Sequence, residues 1–427
     1  MTTYRHPGTV LTDRWFTVPL DHDDPGGMRI EVYAREVVAA DRSGDDLPWL
    51  LYLQGGPGFG SPRPVGREGW LNRALEDYRV LLLDQRGTGR STPVNRRTLA
   101  GIDGAAAQAD HLAHFRADSI VRDAELIRRE LIGTEPWSVL GQSFGGFCAV
   151  NYLSFAPAGL REVFITGGLP GLRSTPDDYY RATYPQVAAK TAAHYERYPA
   201  DVEPARRVAG VLRDQDATLP NGAPLTVEAF QSLGRLLGTG TGSHQLHFLL
   251  EDAFDGGPGL TDVFLAQVGG LLSFVAAPLY AVLHEACVGN GSATRWAAER
   301  VRAEFPEFDA AKALDGGEPL PFTGEMIYPW MVDADPVLRP LRATADLLAE
   351  RDWPRLYDEA RLRACEVPVA AAVYHDDMYV PYELSMDTAR AIRGLRPWVT
   401  NEYEHDGLRV SRGAVLDHLI ATVRGNA

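Results

Sequence analysis

Ser138-Val139-Leu140-Gly141-Gln142-Ser143-Phe144-Gly145-Gly146-Phe147-Cys148-Ala149-Val150-Asn151-Tyr152-Leu153 is the stretch that decides the fold. Its first three residues form a short apolar run, as expected of a strand buried on both faces. Its last seven read as a helix. Between them stands Gly-x-Ser-x-Gly, so the order is strand, sharp turn, helix. Glycine is needed on both sides of Ser143 because such a turn is tight and neighbouring strands crowd it. The turn pushes the serine hydroxyl out above the sheet, where a base can reach it. It also aims the Phe144 backbone N–H at a developing oxyanion. Ser143 is the expected nucleophile.

Outward from this segment, further short apolar runs occur at 49–53, 80–83, 163–166 and 367–373. They suit strands of a mostly parallel sheet. The segment 118–131 places Ile120, Val121, Ala124, Ile127 and Leu131 at helical spacing. Strand and helix in alternation predict a doubly wound α/β fold. Towards the N-terminus, 15–20 and the alternating 28–35 flank a polar turn and read as antiparallel strands. From about 171 to 348 the rhythm changes to helix-like stretches at 177–197, 227–237 and 244–254. The glycine-rich Gly238-Thr239-Gly240-Thr241-Gly242-Ser243 has no strand before it, so it reads as a loop rather than a phosphate cradle. Strand signals return after Val367. The chain reads as an α/β core interrupted by a helical insertion.

Leu51-Tyr52-Leu53 runs into Gln54-Gly55-Gly56-Pro57-Gly58, a glycine-rich loop leaving a buried strand. Such a loop turns backbone N–H groups toward a carbonyl oxygen. Gly56 is the expected second oxyanion donor, with Phe144. In a Ser, acid, His order the base lies late. His405 follows the strand-like 398–403 and precedes Asp406-Gly407, a loop signal. His418 lies in an apolar helical stretch and reads as packing. The acid should end the preceding strand, in His375-Asp376-Asp377-Met378-Tyr379-Val380-Pro381. Both aspartates qualify on position; Asp377 is chosen because the resemblance described below places the acid four residues before a proline. Ser143, His405 and Asp377 would then serve as nucleophile, general base and orienting acid. No second ligand group accompanies His375 and its neighbours, so neither a metal nor any other cofactor is expected.

The 427 residues include 42 basic and 57 acidic side chains, a formal charge of −15. That balance disfavours nucleic acid or an anionic membrane as the main partner. Cys148, Cys287 and Cys365 are widely spaced, which argues against a disulfide framework. No leader-like apolar stretch opens the chain, and no run reaches the roughly 18 apolar residues of a membrane span. A cytoplasmic protein is expected; oligomeric state leaves no mark in the sequence.

Three motifs together resemble the prolyl aminopeptidases (proline iminopeptidases), serine peptidases of the α/β-hydrolase fold. They are Leu53-Gln54-Gly55-Gly56-Pro57-Gly58, Asp84-Gln85-Arg86-Gly87-Thr88-Gly89-Arg90-Ser91 and Gly141-Gln142-Ser143-Phe144-Gly145-Gly146. The segments around Asp377 and His405 extend the likeness over nearly the whole chain, and the length resembles the larger subgroup with an enlarged cap. One departure is that Gln54 stands where the frequent motif has histidine. The donors there are backbone groups, so hydrolysis should survive, and glutamine is usual in the larger subgroup. The resemblance implies a mostly parallel twisted sheet flanked by helices, with a large helical cap inserted after the sixth strand. It implies a core of residues 1–170 and 350–427 and a cap of 171–349. It implies release of N-terminal proline from a peptide, with an esterase or amidase of small molecules as the alternative on the same fold. Cap glutamates would hold the free ammonium. Glu251 is the first candidate, Glu325 the second and Glu285 the reserve. Phe248, Phe254, Tyr328 and Trp330 are candidates for an apolar wall against the pyrrolidine ring. Asp84 and Arg86 read as a structural pair pinning loops. Cys148, five residues beyond the nucleophile, reads as a buried small side chain or as a thiol near the site.

Overall fold

A computed structural model describes residues 1–425. Nine strands form one sheet: β1 (Thr2–His6), β2 (Thr9–Pro19), β3 (Arg29–Ala39), β4 (Trp49–Leu53), β5 (Arg79–Asp84), β6 (Trp137–Gln142), β7 (Leu160–Thr166), β10 (Val369–Tyr374) and β11 (Leu395–Thr400). A small antiparallel hairpin, β8 (Ala217–Thr218) with β9 (Pro224–Leu225), stands apart in the insertion. The sheet order is β1-β2-β3-β5-β4-β6-β7-β10-β11. The pairs from β1 to β5 are antiparallel, and every pair from β5 onward is parallel.

Burial explains the sequence pattern. Every residue of β6 and of β10 is buried, which is why both read as continuous apolar runs rather than alternating ones. The edge strand β11 is exposed at Arg396, Pro397 and Val399 and accordingly lacks a continuous apolar run. The helix Ala117–Ile132 buries Ile120, Val121, Ala124 and Ile127 along one stripe against the sheet. The sequence showed no strand at Thr2–His6. That segment adds an edge strand, so the helical insertion follows the seventh strand in chain order.

Between β7 and β10 the chain is almost wholly helical, from Pro176–Arg197 to Glu359–Ala364. Much of it packs on its own buried cluster, which includes Tyr184, Val187, Phe230, Leu246, Phe264 and Phe322. Other parts of the same stretch side with the α/β layers: Leu279, Leu283, Leu341, Leu348 and Trp353 belong to the sheet's cluster. The insertion thus sits over the carboxyl ends of the central strands, where open α/β sheets bind ligands.

Candidate active site

Ser143 stands at the carboxyl end of β6 with φ 55° and ψ −125°, directly before the helix Phe144–Phe155. A non-glycine residue held there costs about 1–3 kcal/mol and persists only where its surroundings enforce it. They do. A Cβ on Gly145 would lie 2.0 Å from the Leu53 carbonyl oxygen, one on Gly141 2.4 Å from that of Gly145, and one on Gly146 2.4 Å from that of Gly168. The serine N–H donates to the Thr166 carbonyl at 2.9 Å, and the Ser143 carbonyl accepts from Gly146 N at 2.7 Å. The backbone is therefore clamped on both sides of Ser143.

Asp377 follows β10 and His405 follows β11, so two adjacent parallel strands deliver a carboxylate and an imidazole to one end of the sheet. His405 Nδ1 and Asp377 Oδ2 are 2.7 Å apart. The other carboxylate oxygen accepts from Tyr379 N at 2.8 Å and Val380 N at 3.0 Å. Asp377 is 2% exposed, whereas His375 and Asp376 are exposed and bonded to each other. That separates the two aspartates the sequence left open. His418 packs its ring on Trp398, outside the cleft. The Tyr379 ring meets the His405 imidazole edge-on, with centroids 4.8 Å apart. Burial alone would lower the pKa of His405. The Asp377 carboxylate, assisted by Glu325, outweighs it and holds the value above 6.5.

Ser143 and His405 line one cleft of about 390 Å³ with Gln54, Gly55, Gly56, Gln142, Arg235, Tyr280, Glu325, Asp406 and Arg409. No hydrogen bond joins the serine hydroxyl to the imidazole in this structure; such bonds are often long before substrate binds. Gly56 lines the cleft as expected, but Gly55 is the closer residue: a Cβ there would lie 2.9 Å from Ser143 Cβ and 3.5 Å from its Oγ. Phe144 is the first residue of its helix, where backbone N–H groups have no acceptor one turn back. The loop is held from behind, with Gln85 Nε2 donating to the Gln54 carbonyl at 2.9 Å and Tyr52 OH to Gln54 Oε1 at 2.7 Å.

The cap glutamates separate cleanly. Glu325 is half-buried and lines both this cleft and an adjoining, mostly apolar pocket with Phe274, Tyr280, Ile327 and Trp330. Tyr280 OH donates to Glu325 Oε1 at 2.6 Å. Glu251 does not belong to the cleft. It is exposed on the far side of the helix Gly242–Glu251, near His247 Nε2 at 3.5 Å. Leu246, Leu249 and Leu250 occupy the buried stripe of that helix and turn Glu251 outward. Glu285 is buried but caps another helix, accepting from Ala297 N and Ala298 N at 3.1 and 2.9 Å. Its burial raises its pKa to about 7. Of the four aromatic candidates only Trp330 lines the pocket. Phe248 is 60% exposed, Phe254 lies under the Arg207 guanidinium, and Tyr328 is core.

Residues 48–253 match the α/β hydrolase fold family. A proline iminopeptidase of Aeromonas sobria is 51% identical over 408 residues, which cover 95% of each chain. The chain belongs to the proline iminopeptidase family. A second proline iminopeptidase, from Aspergillus aculeatus, is 37% identical over 430 residues, covering 97% of this chain and 94% of its own. A probable proline iminopeptidase of Streptomyces coelicolor matches over 121 residues only, at 35% identity, covering 28% of this chain and 33% of its own. The full-length likeness is therefore to the first two of these proline iminopeptidases.

Other residues singled out in the sequence do structural work. Asp84 and Arg86 do not pair with each other. Asp84 is fully buried and accepts from Ser61 N, Arg63 and Arg90 N. Arg86 forks onto Asp123 at 2.7 and 2.6 Å and also binds the Leu20 and His114 carbonyls. Cys148 is fully buried, and burial pushes its thiol pKa well up, which makes it a packing residue. The 238–243 segment, which reads in sequence only as a loop, has a definite place in the structure. It lies over the loop that carries His405: His405 N donates to the Gly238 carbonyl at 3.2 Å and Gly240 N to Asp406 Oδ1 at 3.0 Å. Thr239 and Thr241 line the cleft. Among the described residues no helix is long and apolar enough to cross a membrane.

Proposed function

We propose that Ser143, His405 and Asp377 act as a catalytic triad releasing N-terminal proline from peptides, with Glu325 holding the substrate's free secondary ammonium. Ser143 Oγ attacks the carbonyl of the proline residue while His405 Nε2 takes the hydroxyl proton. Asp377 fixes the imidazole tautomer through Nδ1 and stabilises the imidazolium. The oxyanion is held by the Phe144 N–H and by the backbone of Gly55–Gly56, each such donor being worth about 2.7–4 kcal/mol. Collapse expels the peptide amine, which leaves with the proton from His405. Water, deprotonated by the same imidazole, then cleaves the prolyl ester and restores Ser143.

The observation that carries the proline reading is Glu325: a half-buried carboxylate common to the Ser143 cleft and to an aromatic-lined pocket. An ammonium anchored there sits a fixed, short distance from the scissile bond, so only the first residue can be released. The pocket wall of Trp330 and Phe274 suits a pyrrolidine ring. We assign the amine to Glu325 alone rather than to Glu251 as well. The proposed division is a core of residues 1–170 and 350–427 and a cap of 171–349, with cap segments packed into the core as described. A reducing cytosol suits three free, buried cysteines.

A panel of aminoacyl arylamides tests this, with N-acetyl-proline arylamide as the blocked control. Proline arylamide should turn over and the blocked compound should not. Equal turnover of the two would favour the esterase or amidase alternative.

A further inference from the structure

Arg235 is anomalous among the arginines. It is half-buried, lines both the Ser143 cleft and the pocket behind Glu325, and its guanidinium makes no hydrogen bond, ion pair or aromatic stacking contact among the described residues. Every other arginine that is not exposed holds at least one hydrogen bond from its side chain; Arg86, Arg116, Arg128, Arg206, Arg302 and Arg342 are examples. The backbone at Arg235 is fixed, since Tyr379 OH donates to its carbonyl. Tyr379 in turn abuts His405. The Arg235 nitrogens are not sealed from solvent, so the fork lies open on the cleft with its five donors free to exchange water for an anion.

The opposite charge is close at hand and yet not used. Glu325 lines the same two cavities, but no ion pair joins it to Arg235; its carboxylate accepts instead from the Tyr280 hydroxyl. Two opposite charges on one cleft, left apart, match a ligand that brings both signs. A peptide substrate is such a ligand: ammonium at one end, carboxylate at the other. Arg409, at the exposed rim of the cleft, adds a second positive group that solvent screens.

We propose that Arg235 binds the C-terminal carboxylate of short substrates, so that the enzyme prefers zwitterionic Pro-X dipeptides. This rests on the reading that Glu325 holds the amine. Two extended residues span about 7 Å, and each further residue carries the carboxylate roughly 3.5 Å onward. The preference should therefore fade as the peptide lengthens. Arginine suits the task because its planar fork matches a carboxylate.

The test is the ratio of kcat/KM for Pro-Gly to that for Pro-Gly amide, which differ only in the terminal charge. The wild type should favour the free acid about tenfold to a hundredfold, the range for a charge-assisted hydrogen bond. Arg235→Met should bring the ratio near one, mainly through KM, and Arg235→Lys should keep part of it. Folding is followed by thermal unfolding. A wild-type ratio near one, or an Arg235→Met ratio equal to that of the wild type, overturns the proposal. The first of these needs no variant and decides the matter even if Arg235→Met fails to fold. Failure of the wild type to cleave proline arylamide would instead remove the proline reading itself.

Discussion

Replacing Glu325 with Gln isolates the charge that the account assigns to amine binding. Gln keeps the shape and can still accept the Tyr280 hydroxyl now 2.6 Å from Oε1. What it loses is the anion facing the substrate's ammonium. A hydrogen bond to a charged group is worth about 1.5–3 kcal/mol, which at about 1.4 kcal/mol per decade predicts roughly a 10- to 150-fold fall in kcat/KM for proline arylamide. The rates should be taken on the alkaline plateau, where His405 is neutral in both proteins. In parallel, p-nitrophenyl acetate, which has no amine, reports on the triad alone. Its hydrolysis should change by less than about threefold, because the groups that touch it are intact. A similar loss on both substrates would mean that Glu325 acts on the triad rather than on the amine. No loss on either would remove it from the site.

Other consequences are sharp enough to measure. His405 must be neutral to act as base, and its pKa is held above 6.5, so the acidic limb of kcat/KM should fall above that pH. Glu325 favours the imidazolium, so Glu325→Gln should move the limb downward, read from the pH dependence of fluorophosphonate inactivation. Glu251→Gln changes an exposed side chain outside the cleft and should leave kcat/KM for proline arylamide within about twofold, in line with an exposed surface position. Gly145→Ala would set a methyl 2.0 Å from the Leu53 carbonyl oxygen, which is backbone and cannot step aside. It should cost about 3 kcal/mol in urea denaturation and abolish turnover; a variant as stable as the parent would contradict the clamped turn.

The sheet was legible because parallel strands are buried on both faces. The runs at 49–53, 80–83, 138–140 and 367–373 were continuous for that reason, and Ser143 and Asp377 follow two of them, whereas His405 follows the exposed edge strand β11. Thr2–His6 escaped notice because a mostly exposed edge strand needs no apolar pattern. Glu251 was misjudged although the signal was present: Leu246, Leu249, Leu250 and Ala253 define the buried stripe, and Glu251 falls off it. The 238–243 loop carried no comparable signal. Its partners, His405 and Asp406, lie some 165 residues away in the chain, and only the folded cap brings them together. Arg86 was legible as structural but not in its pairing, since its carboxylate partner sits on a helix 37 residues downstream. Arg235 showed nothing in sequence because its distinction is the absence of a partner.

The central claim is that Ser143 is a nucleophile activated by His405. Fluorophosphonate labelling followed by peptide mapping tests it most directly. A single adduct should form, on Ser143, far more slowly in His405→Ala and not at all in a folded Ser143→Ala protein that no longer cleaves proline arylamide. An adduct on another residue, or turnover surviving in Ser143→Ala, would contradict it.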